Sequence, residues 1–416
     1  MTDSTVSEYS GSKLHVPAAS SRPGEKTEFA YLNLPGAGAL DRPPIDVEAL
    51  DTRNLAYGLV RVLDDEGVAR GAWAPTLSID ELTRALRLML HVRVFDERMF
   101  RMQRQGKLSF YMKSTGEEAV SIGQSMALLP GDMLFPSYRQ QGLMFERGRS
   151  AIELMCSCLN NAEDNLKGRQ LPVLYSWKAG NFFSISGNLA TQFSQAVGWA
   201  MASAYKGEDH IAASWVGEGS TAEADVHNAL LFASTYRAPV ILNVVNNQWA
   251  ISTPQSFASA GTTFAARGLG YSIPSIRVDG NDLLAVIGVT AWAAERARAG
   301  FGPTYVELFT YRAEGHSTSD SPEAYRATDE GEAWPLGDPI ERLKQHLIGL
   351  DAWSDERHEA LRGELTQAVT DDWKAALGHG TFDSGPHWPV ESMFEDIFDE
   401  LPPHLYRQRE QMRDEQ

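Results

Sequence analysis

The chain has 416 residues, 43% hydrophobic and 22% charged, with 35 glycines and 20 prolines, a globular composition with length enough for a large core. Its 37 basic and 55 acidic side chains leave a net charge of −18, which repels phosphate backbones and anionic lipid and weighs against nucleic-acid or membrane-surface binding. No basic-then-apolar leader opens the sequence and no apolar run is long enough to span a bilayer, so a soluble, cytoplasmic protein is expected.

Residues 1–75 are rich in Gly, Pro and Ser and show little sustained periodicity, which predicts an extended N-terminal arm that wraps another surface. From 79 to 105 the positions Leu82, Leu86, Met89, Leu90 and Val94 recur at helical spacing, and Gly106 ends the run. A second helix is expected over 117–129, then a short apolar strand at Met133, Leu134 and Phe135. Cys156 and Cys158 stand two apart in an apolar helical pattern, where they cannot easily pair. With no CxxC or HxxxH among these and the ten histidines, any metal should be oxygen-bound.

Residues 210–217 (HIAASWVG) read as a buried strand, 222–235 as a helix and 239–245 (PVILNVV) as a second buried strand, which makes a βαβ unit. A helix over 282–298 leads into another strand at 303–311. The expectation is a doubly wound, mainly parallel α/β domain over 76–330, with ligands at the carboxyl ends of its strands. Residues 331–416 are predicted to form a charged, helical C-terminal tail.

Gly217-Glu218-Gly219 falls where the first strand of the βαβ unit gives way to its helix. GEGSTA fits a loose dinucleotide fingerprint, but no Asp or Glu occurs between Asp225 and Asp279 to hold a ribose, which argues against a nicotinamide cofactor. One βαβ repeat later stand Asn246-Asn247, so Glu218 and Asn247 should share a sheet edge. Either alone reads as a helix start or a turn. Together, a carboxylate, an amide oxygen and a nearby carbonyl, completed by diphosphate oxygens and water, form an oxygen set suited to Mg²⁺.

These residues resemble the diphosphate motif of thiamine-diphosphate enzymes. With SFYMKSTGEEA (109–119), SYRQQG (137–142), LKGRQLPV (166–173), ISGNLATQ (185–192), NNQWAISTP (246–254), RGLGYSIPSIRVDGND (267–282) and YRAEGHSTSD (311–320), the chain resembles the alpha subunits of the decarboxylase component of 2-oxo acid dehydrogenases, in particular the branched-chain members. The resemblance covers roughly residues 75–400. It implies thiamine diphosphate and Mg²⁺ as cofactors, with Glu218, Asn247 and the Trp249 carbonyl on the metal. It also implies Tyr138, Arg139, Gly187, Leu189, Gly217, Glu218, Gly219, Ser220, Asn247, Ile251 and His316 around the cofactor. His316 takes a catalytic role in orienting substrate and handling protons, and Ser186, Asn188, Thr191 and Gln192 hold a potassium ion. Glu218 replaces the family's usual Asp, and Val245 stands where relatives often carry a basic residue, so one diphosphate contact is in question.

The implied activity is oxidative decarboxylation of 2-oxoisovalerate-type acids with acyl transfer to the lipoyl domain of an acyltransferase core. The implied assembly is an α₂β₂ heterotetramer with a beta subunit. A pyruvate or acetoin dehydrogenase alpha subunit is the alternative within the class, and a nucleotide-binding regulatory protein the alternative outside it.

Overall fold

The computed structural model describes Pro17 and residues 22–30 and 32–414; the first part of the expected arm lies outside the described residues. Five short runs pair into one parallel sheet: β1 (Met133–Phe135), β2 (Ala212–Gly217), β3 (Val240–Asn246), β4 (Ser275–Asp279) and β5 (Thr304–Phe309), in the order β1-β2-β3-β5-β4. The strands alternate between two apolar layers, as a two-residue period requires. Ala212, Val240, Leu242 and Val244 face the layer that contains α4 (Thr191–Lys206) and α5 (Ala224–Thr235). Ala213, Trp215, Ile241 and Val245 face the layer built from α1 (Ile79–Arg104), α2 (Glu118–Ala127), α3 (Ala151–Leu159) and α6 (Leu283–Arg298). Helices on both faces of a parallel sheet make this the expected doubly wound architecture.

Local chemistry sets the element ends. Ser78 and Glu81 close a reciprocal capping box at the start of α1, and Asp282 caps α6 by accepting from the Ala285 N–H at 3.0 Å. The strand at Ser275–Asp279 was not anticipated from the sequence. It is short, interrupted by Arg277, and held as the sheet edge by β5 on one side and a single Val60 bridge on the other.

The described part of the segment preceding α1 lies along its own domain. Val60 pairs with Val278, and Leu55, Val62, Leu63 and Trp73 are buried in the α1–α6 layer. Trp73 meets Trp292 of α6 edge to face at 6.2 Å, and a Cβ on Gly288 would fall 2.1 Å from the Trp73 carbonyl oxygen, so only glycine admits this approach. Past β5, α7 (Pro339–Gly349) and α8 (Asp355–Leu377) pack on α1, with Leu361, Leu365, Val369 and Trp373 as the buried stripe of α8. The last helix, α9 (Pro403–Asp414), buries none of its residues. No helix among the described residues is long and apolar enough to cross a membrane.

Candidate functional site

Because all five strands run parallel, the carboxyl ends of β1, β2, β3 and β5 deliver Arg139, Glu218, Asn247 and Arg312 to one edge. Glu218 follows β2 directly and is 2% exposed. Gly219 behind it lets the Ala250 turn close in, since a Cβ there would sit 2.4 Å from the Ala250 Cβ. The Asn247 backbone N–H donates to Glu218 Oε2 at 3.3 Å, and its side-chain Nδ2 donates to Glu117 Oε1 at 2.7 Å. Asn247 Oδ1 accepts from the Trp249 N–H at 3.3 Å. Glu218 Oε1 is buried with no hydrogen-bond partner. Asn246 turns the other way, donating to Glu307 at 2.8 Å and to Gln255 at 2.9 Å, so only the second asparagine of the pair joins Glu218.

Both carboxyls of the site are shifted upward. Burial pushes the Glu218 carboxyl up to about 7, with the neighbouring Glu117 charge adding to the effect and Arg312 opposing it. Burial likewise raises Glu117, against the pull of Arg139, Asn247 and Arg312. The Arg139 Nε lies 3.9 Å from Glu117 Oε1, a buried ion pair too long to be a hydrogen bond. Among the described residues no group of three or more His, Cys, Asp or Glu converges on one point, so a cation here would draw most of its ligands from amide, carbonyl and external oxygens.

Arg139 and His316 meet side chain to side chain. Arg139 Nη2 lies 3.1 Å from His316 Nδ1 and donates to the His316 carbonyl at 2.5 Å, while Nη1 donates to the Lys113 carbonyl. A guanidinium can only donate, so Nδ1 accepts and the ring proton resides on Nε2. Burial, Arg139 and Arg312 together lower His316 to about 3, which keeps the ring neutral. Tyr138 packs edge-on to the ring at 5.9 Å, and Asp320 accepts from the His316 N–H at 2.5 Å. Arg312, 1% exposed, donates to the Trp249 carbonyl at 3.0 Å, the Ile251 carbonyl at 2.8 Å and the Tyr325 hydroxyl at 2.7 Å. The Trp249 carbonyl therefore has one lone pair engaged and one left.

The 186–192 segment runs into the first turn of α4 and is tied to β2 by Gln192 Nε2, which donates to the Trp215 carbonyl at 2.8 Å. Ser186 Oγ accepts from the Asn188 N–H at 3.0 Å and Thr191 Oγ1 donates to the Asn188 carbonyl at 3.2 Å, so these oxygens first serve the turn. Gly187 and Leu189 lie exposed on it, and Gln192 Oε1 is buried without a partner. Ile251, in a left-handed conformation, is 55% exposed, and Gly217 and Ser220 are half-buried beside Glu218. The sequence reading singled out Tyr138, Arg139, Glu218, Asn247, Trp249 and His316 at this edge; Glu117 and Arg312 lie inside stretches quoted only as motifs, and Glu117 stands 130 positions from its partner Asn247.

A family model described as dehydrogenase E1 component matches residues 86–381, and one described as 2-oxoisovalerate dehydrogenase E1 alpha subunit N terminal matches residues 12–50. The chain is 56% identical to the 2-oxoisovalerate dehydrogenase subunit alpha of Pseudomonas aeruginosa, over 98% of this chain and 100% of that one. It is 36% identical to the mitochondrial 2-oxoisovalerate dehydrogenase subunit alpha of Homo sapiens, over 95% and 88% of the two chains. It is 38% identical to that of Mus musculus, over 85% and 79%.

Proposed function

The chain belongs to the dehydrogenase E1 component family, and on that premise we propose that it is the alpha subunit of a thiamine-diphosphate-dependent dehydrogenase of branched-chain 2-oxo acids such as 2-oxoisovalerate. The observation that carries the site is the unpartnered, buried Glu218 Oε1, on a carboxyl whose other oxygen accepts from the Asn247 backbone N–H. A buried carboxylate oxygen with nothing to accept from is the position a cation completes. Glu218 and Asn247 would hold Mg²⁺ through Oε1 and Oδ1, and the free lone pair of the Trp249 carbonyl is open to the same ion. Tyr138, Arg139 and His316 line the neighbouring wall, where the Arg139 guanidinium suits diphosphate oxygens. The substrate assignment rests on the named relatives.

When bound, the cofactor supplies a nucleophilic carbon and the electron sink that decarboxylation of a 2-oxo acid requires. His316 holds a proton at Nε2, oriented by Arg139 at Nδ1, and presents it to whatever oxygen occupies the cleft. Arg312 pins the Trp249–Ile251 turn, which keeps the Asn247 amide in register with Glu218. The 186–192 loop is the proposed seat of a potassium ion, supported by the unpartnered Gln192 Oε1.

A beta subunit completes the site in this reading, and the lipoyl domain of an acyltransferase receives the acyl group. A thiamine needs a second protein surface for its aminopyrimidine, and besides the five-stranded sheet the described residues form only a two-stranded one. Leu189 on the 186–192 segment and Ile251 on the turn after Trp249 are exposed apolar side chains, which supports a covering partner. The test is decarboxylation of 2-oxoisovalerate by the chain purified alone, with Mg²⁺ and thiamine diphosphate. The expected rate is near background, rising when a co-expressed beta subunit is present; full activity of the single chain overturns the proposal.

A further inference from the structure

We infer that Glu117 is a positioning residue for the cation: its carboxylate, accepting from Asn247 Nδ2 at 2.7 Å, fixes which way round the Asn247 amide stands and so presents Oδ1 to the metal. The inference rests on the reading of Glu218 and Asn247 as the residues that hold Mg²⁺. The two ends of an asparagine amide have nearly the same size but opposite character. Turned over, the same side chain would aim an NH₂ group at the cation. Something must therefore distinguish the two orientations.

Glu117 does so by its placement: Oε1 takes the Nδ2–H at 2.7 Å, and the Arg139 guanidinium 3.9 Å away favours the acceptor form of the carboxyl, so the face of Asn247 that meets it is the amide nitrogen. The Trp249 N–H, 3.3 Å from Oδ1, selects the same orientation from the other side. Glu117 is itself built in: it is 1% exposed and sits at the entry to α2, where its backbone N–H donates to the Ser114 carbonyl at 2.8 Å. Its neighbour Glu118 is spent on structure, held by the Arg93 guanidinium and the Gly116 N–H at 2.9 Å, and points away from the site. Two adjacent acids thus part company, one closing an ion pair with α1 and one standing behind the Asn247 amide. A carboxylate that supports a ligand from behind is the usual means of orienting a metal site, and its loss commonly costs about 10- to 100-fold in metal affinity.

The test uses the full chain in complex with its beta subunit at saturating thiamine diphosphate, with Mn²⁺ as probe and free Mn²⁺ read by electron paramagnetic resonance. Glu117→Gln keeps size and fold but replaces an acceptor with a group that can also donate, so it no longer dictates the Asn247 orientation. Mn²⁺ affinity is expected to fall about tenfold in Glu117→Gln, with Asn247→Ala also weakened and the double variant no weaker than Asn247→Ala alone. Such non-additivity is what a residue acting through Asn247 produces and a merely structural residue does not. Unchanged Mn²⁺ affinity in Glu117→Gln, with or without a lower melting temperature, overturns the inference, as do losses that add in full. If Asn247→Ala and Glu218→Ala also bind Mn²⁺ as the unsubstituted complex does, the cation-site reading falls with it. If those two lose affinity and Glu117→Gln does not, only the role of Glu117 is rejected.

Discussion

The Asn247 backbone N–H donates to Glu218 Oε2 at 3.3 Å, joining two residues that lie 29 positions apart. The bond spans one βαβ unit: parallel pairing of β2 with β3 sets Gly217 opposite Val245, and the residues that follow each strand meet at the carboxyl edge. Glu218 spends one oxygen on this contact and leaves the other free. Glu218→Ala should therefore abolish Mg²⁺-dependent binding of thiamine diphosphate, because it removes the one anionic ligand, while the far-ultraviolet spectrum is unchanged. Calorimetric titration of the complex with and without Mg²⁺ checks this; cofactor affinity equal to that of the unsubstituted complex would contradict it.

The same carboxyl predicts a pH signature. Its folded-state value is raised to about 7, so the protonated form is the one folding favours, and its contribution is fully present below about 4.5 and lost as pH rises through about 7. The contribution is of order 3 kcal/mol, at about 1.4 kcal/mol per pH unit. The metal-free chain should melt at a lower temperature at pH 8 than at pH 5, and Mg²⁺ with thiamine diphosphate should restore much of the difference. Glu218→Gln should flatten the slope. A slope unchanged by that substitution would assign it to another group.

His316 is held neutral by burial and by Arg139 and Arg312, with its proton on Nε2. His316→Ala should keep cofactor affinity within a few-fold and lower turnover by about 10²- to 10⁴-fold. Steady-state assay of the reconstituted complex beside a cofactor titration separates the two quantities. Near-normal turnover rejects the role.

Asp282 ties three parts of the chain together. Its Oδ2 accepts from the Val62 N–H at 2.8 Å and the Leu63 N–H at 2.6 Å and lies 3.4 Å from Arg342 Nη2, while Oδ1 caps α6. Asp282→Ala should destabilise the chain by about 3 kcal/mol, since it orphans buried donors from both flanking segments and weakens the cap. Denaturant unfolding measures it, and a loss under about 1 kcal/mol would show that Arg342 and Asp279, 2.6 Å apart, suffice to hold the junction.

The layout of these contacts explains what the sequence made legible. Helix periodicity in α1 and the buried runs of β2, β3 and β5 are local signals, and Glu218 and Asn247 could be matched because a βαβ unit has a regular length. β4 escaped because five residues interrupted by Arg277 carry too little pattern, and its stability comes from neighbours at Val60 and in β5. The segment before α1 lacks periodicity because single residues such as Val60 and Trp73 anchor it, one contact at a time. Glu117 escaped for a similar reason: nothing in its neighbourhood marks it as different from Glu118, and only the fold shows that one faces Arg93 and the other Asn247.

The most direct test of the account is a kinetic panel on the chain co-purified with its beta subunit, with Mg²⁺ and thiamine diphosphate supplied or withheld. Decarboxylation of 2-oxoisovalerate with kcat/KM above that for pyruvate, lost when either cofactor is withheld, is the predicted result. Preference for pyruvate, or turnover that persists without thiamine diphosphate, would contradict it.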